Sequence, residues 1–242
     1  MITERHLRAT EFFDTDTIET VQFIEKYAPA DNNSLRERAV KLYYAVRDNI
    51  FYDIYGADFS KEGLTASQIL RGGSGMCIHK SIVYTTLLRS IGVPARLWFA
   101  DVKNHLCSDN IRQYVGGDTF HYHCLVELCL DGKNWIKSTP VFNDKLCALY
   151  KLTPLEFDGT KDSLHHPYDL TGRKHMEFVK IHGDFDDLPY QWVVSGIRDK
   201  HPNLFLDAHK MRKGSLVSDA SKTKKFDTSM NSRVSLDVNS SL

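Results

Sequence analysis

A cysteine that follows a glycine-rich loop is the feature of this sequence best suited to chemistry. Gly72, Gly73 and Gly75 precede Cys77, and the apolar stripe after it predicts a helix that begins there. Unpaired backbone amides at a helix start stabilise a thiolate, and a nearby imidazolium adds to that effect. The glycines permit close approach of a substrate and leave the Cys77 amide available to a developing oxyanion. The alternative, a small buried apolar cysteine, requires no such loop.

A nucleophilic thiol needs a base, and histidine is the usual one. In the segment FHYHCLVEL, strict alternation places His121 and His123 on one face of a predicted strand, and the same pattern adds Cys129. We take His123 as the candidate base, with a hydrogen-bonded structural histidine as the alternative. A third residue that orients the imidazole is expected on the next strand. The residues with suitable side chains there are Thr139, Asn143 and Asp144.

Zinc is the competing interpretation of these residues. The two histidines and the cysteine of that strand, with Cys77 and His79, include the donor atoms that zinc prefers, but Cys-x-His and His-x-His spacings are weak signals. We interpret the pair His165-His166 and the acidic segment 183–187 as turn and solvated loop, without a role in the site. No oxygen-rich loop resembles an EF-hand. We therefore expect no metal and no other cofactor.

Hydrophobic periodicity and turn residues predict the elements that position these side chains. A helix at the start has Asp14 or Thr15 as its cap, and a hairpin turn is predicted at 131–134. Residues 152–190 show no sustained period and are predicted to form long loops. Helices followed by an antiparallel sheet are typical of an α+β domain. The predicted helices cover 15–28, 35–50, 65–70, 78–90 and 188–202, and the predicted strands cover 93–102, 120–130 and 134–141.

One domain with a tail is the expected organisation. Residues 1–206 are predicted to form a single domain with a core at about 35–150, because the composition beyond them changes to serine, lysine, aspartate and asparagine. Residues 207–242 are predicted to be a disordered polar tail. No period of repeat length recurs in the sequence, so a solenoid or propeller is not indicated.

Charge and cysteine content limit the function classes. Lysine plus arginine and aspartate plus glutamate number 31 each, so no net field favours nucleic acid or an anionic membrane. The first residues lack the apolar run of a signal peptide, and five cysteines are an odd number, which favours free thiols in the cytoplasm. We expect a protein or peptide as partner. The oligomeric state is left open.

Two segments, 73–96 and 123–144, resemble the core of the transglutaminase-like superfamily. In that family a glycine-flanked cysteine opens a helix, and a histidine heads a strand that precedes a tryptophan-bearing strand. Both halves occur here in the family's order, and residues 35–189 more loosely resemble a bacterial subgroup of candidate cysteine proteases. The matching residues are Cys77, Arg89, Gly92, Pro94 and Arg96 in the first segment and His123, Glu127, Trp135 and Pro140 in the second.

The resemblance implies a papain-like fold, with N-terminal helices packed on an antiparallel sheet. It also implies that Cys77 attacks a peptide or carboxamide carbonyl, that His123 relays the proton, and that a thioester passes to water or an amine. Thr139 stands where the family has aspartate, and a hydroxyl orients an imidazole without stabilising its cation by charge. We therefore expect Asn143 or Asp144 to take the orienting role, with hydrolysis favoured over transamidation. The alternative is a weakened domain that serves as a protein-interaction module.

Overall fold

A computed structural model describes residues 2–165, 168–206 and 216. The predicted tail 207–242 lies outside the described residues except for Leu216. The α-helices of the described part are α1 (Ile18–Tyr27), α2 (Leu35–Asn49), α3 (Ala66–Gly72), α4 (Cys77–Ser90), α5 (Asp109–Val115), α6 (Asp144–Tyr150) and α7 (Tyr190–Lys200). The strands are β1 (Phe51–Tyr52), β2 (Ser74–Gly75), β3 (Ala95–Asn104), β4 (Thr119–Leu128), β5 (Ile136–Ser138) and β6 (Met176–Phe185). Short 3₁₀ helices cover Glu4–His6 and Pro202–Phe205.

The main sheet has the strand order β5-β4-β3-β6, and every neighbouring pair is antiparallel. In the register of β3 and β4, Ala95 pairs with Leu128 and Ala100 pairs with His123. The predicted hairpin turn forms, because the Asp131 carboxylate accepts the backbone N–H groups of Lys133 and Asn134 at 2.8 and 2.7 Å. Helices packed on this sheet confirm the predicted α+β class.

The helix that begins with Cys77 is the centre of the core. Residues 77–89 of α4 are all buried, because the helix contacts β3 and β4 on one side and α2 and α3 on the other. Four of its aliphatic side chains have no exposed surface, and burial of each contributes about 1.5–3 kcal/mol. These are Ile82, Val83, Leu87 and Leu88. Packing along the whole of α4 therefore holds its first residue in a fixed position.

A buried lysine joins α4 to α2. Lys80 has no exposed surface, and its Nζ donates hydrogen bonds to the carbonyl oxygens of Arg47 and Ile50 at 2.8 and 2.5 Å. Burial without a close carboxylate partner lowers the pKa of Lys80 to about 7. The lysine ties the first turn of α4 to the end of α2.

Side-chain caps define the starts of the first two long helices. Ser34 and Glu37 form the reciprocal capping box at the start of α2. The predicted cap of the first helix is wrong, since Thr17 accepts the Thr20 backbone N–H and α1 begins at Ile18 rather than near residue 15. Asp14 instead accepts the backbone N–H of Ser67 at 3.1 Å and joins the N-terminal segment to α3.

The segment 152–190, predicted to be loops, contains β6. This strand pairs only with β3 and lies at the edge of the sheet. Its central residues are exposed, and its pairing with β3 shifts register twice, so its apolar residues do not alternate in the way that identifies a half-buried strand. Within the described residues, no helix has the length and apolarity needed to cross a membrane.

Candidate active site

The loop before Cys77 is fixed by short-range pairing. Strands β1 and β2 are parallel, with Phe51 opposite Ser74 and Tyr52 opposite Gly75. Gly73 adopts the left-handed region (φ 66°) and ends α3, which glycine does without strain. A Cβ on Gly75 would lie 2.5 Å from the Cβ of His79, so this position also requires glycine. The glycine loop therefore delivers the chain to Cys77 in one conformation.

His79 supports this turn and is not available to a metal. Its Nδ1 accepts the backbone N–H of Met76 at 3.2 Å, and its Nε2 lies 2.9 Å from the carbonyl oxygen of Asp58. The Nε2 atom must donate to that carbonyl, which has no proton to give. Burial lowers the pKa of His79 and favours this neutral form. Both ring nitrogens thus hold the residue before Cys77 in place.

Cys77 is the first residue of α4, and 7% of its surface is exposed. Burial raises the pKa of its thiol to about 11, whereas the backbone N–H groups of Cys124, Ile78 and Cys77 itself act in the opposite direction. The sulfur is therefore a protonated thiol at neutral pH and faces the amide of Cys124, the residue after His123. This contact places the start of α4 against the residue that follows His123 in β4.

His123 is buried in β4 and forms a hydrogen bond with a second histidine. Its Nε2 lies 3.1 Å from Nε2 of His165, and the two ring centroids are 5.0 Å apart. Desolvation lowers the pKa of His123 to about 4, so the ring is neutral at physiological pH. One neutral imidazole must donate to the other, which fixes the tautomers of the two rings together.

A bulge in β4 separates His123 from His121. Ala100 pairs with His123 but Val102 pairs with Phe120, so β4 has one extra residue there, and Tyr122 adopts a positive φ of 58°. His121 consequently binds Asp101, with Nδ1 2.9 Å from the carboxylate. The predicted shared face of the two histidines is therefore wrong. No cluster of metal-ligating side chains occurs among the described residues.

The candidates for a third residue lie close together in sequence but have different surroundings. Thr139 is buried, and among the described side chains its Oγ1 is one of two buried polar atoms without a hydrogen-bond partner. Asn143 caps α6, its Oδ1 accepting the Leu146 backbone N–H at 2.9 Å. Asp144 forms an ion pair with Arg47 at 2.8 Å. None of these contacts reaches His123, so their predicted role in orienting it stays a prediction.

A cavity of about 430 Å³ opens beside the two bonded histidines. His123 and His165 form part of its wall, and most of the other lining side chains are apolar. Tyr52 also lines it, and burial, followed by charge on Cys77 and Cys107, raises the pKa of the Tyr52 phenol. The cavity is large enough to hold a ligand, and Tyr52 in its wall lies within electrostatic range of Cys77.

Comparison with known proteins relates this arrangement to a family. Residues 22–140 match the family model described as the transglutaminase-like superfamily. This part of the chain belongs to the transglutaminase-like superfamily. The match supports a family of thiol enzymes, and no curated protein matches the chain.

One solved structure resembling this transglutaminase-like chain is described as "a Putative Cysteine Protease from Cytophaga hutchinsonii". It is 17% identical, has a TM-score of 0.46 and covers 78% of this chain. The chain spans 48% of the length of that protein, about half. The family-matched segment of the transglutaminase-like domain includes Cys77, His123 and Thr139, and ends before Asn143 and His165.

His165 is the site residue that the sequence interpretation missed. The pair at 165 and 166 was expected to be a solvated turn, but His165 is 8% exposed and contacts both His123 and the Phe142 ring, at a centroid distance of 5.3 Å. The contact with His123 spans 42 residues and comes from a segment without regular structure. No local pattern in the transglutaminase-like sequence predicts the contact between His165 and His123.

Proposed function

We infer that this transglutaminase-like domain is a thiol enzyme in which Cys77 attacks a peptide or carboxamide carbonyl and His123 acts as its base. The observation that carries this proposal is the position of Cys77 as first residue of α4, with the backbone amide of Cys124 hydrogen-bonded to its sulfur and His123 as the preceding residue of β4. A structural cysteine needs neither the first position of a helix nor a buried neutral histidine on the strand against which that helix packs.

The proposed reaction proceeds by acyl transfer through a thioester. The Cys77 S–H proton moves to Nδ1 of His123 as the sulfur attacks the carbonyl carbon, and the C=O electron pair moves to oxygen. Backbone N–H groups at the start of α4 stabilise that oxyanion. The C–N bond then breaks, and the imidazolium returns the proton to the departing amine. Water or a second amine cleaves the thioester by the same steps, with His123 again as base.

The ground state of the pair is neutral in this proposal. Burial raises the pKa of Cys77 to about 11 and lowers that of His123 to about 4, so thiol and imidazole are favoured over thiolate and imidazolium. Proton transfer then accompanies attack rather than preceding it, which is general-base catalysis. The proposal assigns the shared proton of the His123–His165 bond to Nε2 of His123, which leaves Nδ1 to accept the thiol proton.

His165 accordingly takes the third position of the proposed triad, as a positioning residue. Thr139 and Asn143 remain less favoured candidates for orienting His123, because none of their described contacts reaches its imidazole ring. Hydrolysis is favoured over transamidation, and a protein or peptide is the proposed substrate. An interaction module without catalysis is the alternative, and the orphaned hydroxyl of Thr139 at the family's aspartate position favours it.

Selective alkylation tests the Cys-His pair, and Cys147 is a matched internal control. Burial also raises the pKa of Cys147 to about 11, but this residue lies within α6 rather than at the first position of a helix. The purified protein is treated with limiting iodoacetamide at pH 7.5, and each cysteine peptide is quantified by mass spectrometry. We expect Cys77 to react faster than Cys147, and His123→Ala to remove that difference.

The outcome separates the two candidate functions. If Cys77 and Cys147 react at the same rate, and His123→Ala changes neither, burial alone sets the reactivity and the interaction-module interpretation replaces the enzyme. Selective loss at Cys77 in the variant supports the proposed pair. The melting temperature of His123→Ala is measured alongside, so that unfolding is recognised by a rise at all five cysteines together.

A further inference from the structure

The cavity beside His123 is mainly apolar and is built from several separate parts of the chain. Side chains of β3, β4, α5, α6 and β6 converge on it, and its exposed charged residues include Asp109 and Lys151. A volume of about 430 Å³ lies within the range of about 300–1,000 Å³ that ligand pockets occupy. Representative apolar lining residues are Ile54, Val102, Phe120, Leu146, Leu149 and Met176.

Leu216 shows how a peptide residue is held at this cavity. Its side chain is partly buried against the core, and the residue forms part of the cavity wall. The hydroxyl of Tyr150, another lining residue, donates a hydrogen bond to the backbone carbonyl oxygen of Leu216 at 3.1 Å. A residue 66 positions away in the chain is thus bound by one apolar contact and one main-chain hydrogen bond. The same two contacts would recognise a leucine of any peptide.

We propose that this cavity is the subsite for a branched aliphatic side chain of a peptide substrate, and that Leu216, which forms part of its wall and accepts the Tyr150 hydrogen bond, competes with that substrate in cis. The proposal rests on the proposed function for its link to Cys77, and it names the substrate class of that same site. A tyrosine hydroxyl has one proton to donate, so Tyr150 serves either Leu216 or the carbonyl of a bound peptide. Because Leu216 belongs to the same chain as the cavity, it competes at a high effective concentration.

Cys107 is a reporter inside the cavity that does not depend on catalysis. It lines the cavity and is 7% exposed, so its alkylation measures how open the cavity is. The test uses full-length Cys77→Ala protein, alone and with Leu216→Asp added, and iodoacetamide at pH 8.5. The probe is a synthetic blocked peptide, RKGSLVSDA, which has the sequence of residues 212–220. We expect Leu216→Asp to raise Cys107 alkylation about three- to tenfold, since a partly buried leucine contributes about that factor.

The added peptide should then protect Cys107 in the Leu216→Asp protein at a concentration about three- to tenfold lower than in the Leu216-containing protein, by relief of competition. The same peptide with aspartate in place of its leucine should not protect. Leu236→Asp, a change at another leucine of the C-terminal region, should behave as the parent does. Unchanged Cys107 alkylation in Leu216→Asp, or equal protection by both peptides, overturns the proposal.

Two further measurements keep the result interpretable. If Leu216→Asp lowers the melting temperature, Leu216→Ala replaces it, and that milder truncation must give the same order of effects or the proposal fails. Alkylation of Cys77 in otherwise wild-type protein is recorded separately. Peptide protection of Cys107 with an unreactive Cys77 would retain the aliphatic subsite and reject the enzyme, whereas a reactive Cys77 with no protection at Cys107 would do the opposite.

Discussion

Replacing His165 with alanine removes the hydrogen-bond partner of the proposed base. The two Nε2 atoms are 3.1 Å apart and both residues are buried, so the change leaves Nε2 of His123 without its partner in a site that excludes most water. His123 then no longer has a fixed tautomer, and a fraction of the rings presents the wrong nitrogen to Cys77. We expect the rate of the Cys77 reaction to fall while the fold persists.

The size of this fall follows from the type of bond. An unsatisfied buried donor or acceptor costs about 1–3 kcal/mol, which corresponds to about 5- to 150-fold in rate at 1.4 kcal/mol per tenfold. An aspartate in this position contributes up to about 10⁴-fold because its charge also stabilises the imidazolium. A neutral imidazole has no such charge, so we expect about 10- to 100-fold for His165→Ala. His165→Gln, whose amide reaches a similar position, should recover most of the rate.

The assay is the second-order rate constant for iodoacetamide alkylation of Cys77 between pH 3.5 and 9. In the wild type the acid limb reports protonation of His123, whose pKa burial lowers to about 4. Water that enters the space left by alanine should raise that pKa toward its ordinary value and move the acid limb to higher pH. His121→Ala is the matched control, since this residue is two positions away on β4 and binds Asp101 instead. An alkylation rate within twofold of wild type in His165→Ala, with an unmoved acid limb, would refute the positioning role.

Three other results are expected. In His123→Ala, alkylation of Cys77 should rise tenfold per pH unit up to a pKa of about 11, without the plateau near neutral pH that the base provides, and a pH series measures this slope. The pKa of Lys80 is lowered to about 7 from 10.5, so the unfolded chain binds more protons between these values. Stability should therefore rise with pH in that window by up to about 1.4 kcal/mol per unit, and urea unfolding should show the slope vanish in Lys80→Met. Gly75→Ala should destabilise the fold by about 1–3 kcal/mol, because the added Cβ would lie 2.5 Å from the Cβ of His79, whereas Gly72→Ala, with nothing within 4 Å, should unfold at the wild-type urea concentration.

The parts of this fold with strong local signals were predictable from sequence. The helix after Cys77 has an apolar stripe, a glycine loop before it and Gly92 with Pro94 behind it, and α4 has these bounds within a residue. The capping box at Ser34 and the hairpin turn at Asp131 are likewise encoded within four residues. Local hydrogen bonds decide such features, so a short sequence window contains the necessary information.

The errors concern features that depend on distant parts of the chain. A bulge at Tyr122 breaks the alternation on which the shared face of His121 and His123 was predicted, and its pairing partner is on β3. The edge strand β6 is exposed and has no clean periodicity. The contact of His165 with His123 forms only because the loop after β5 packs over the face of the sheet that presents this histidine. Tertiary packing decides all three, and propensity does not report it.

The parallel pairing of β1 with β2 has a consequence for the order in which the molecule is assembled. Phe51 and Ser74 are 23 residues apart, so the turn before Cys77 closes through near-neighbour contacts, whereas His123 and His165 follow much later in the chain. Contacts of short sequence separation form faster than distant ones, and an emerging chain folds from its N-terminal side. We expect the thiol to acquire its turn while its base is still unfolded or unsynthesised. In a nascent chain the turn before Cys77 would thus form before His123 is in place. Cys77 would become reactive only when β4 joins the sheet.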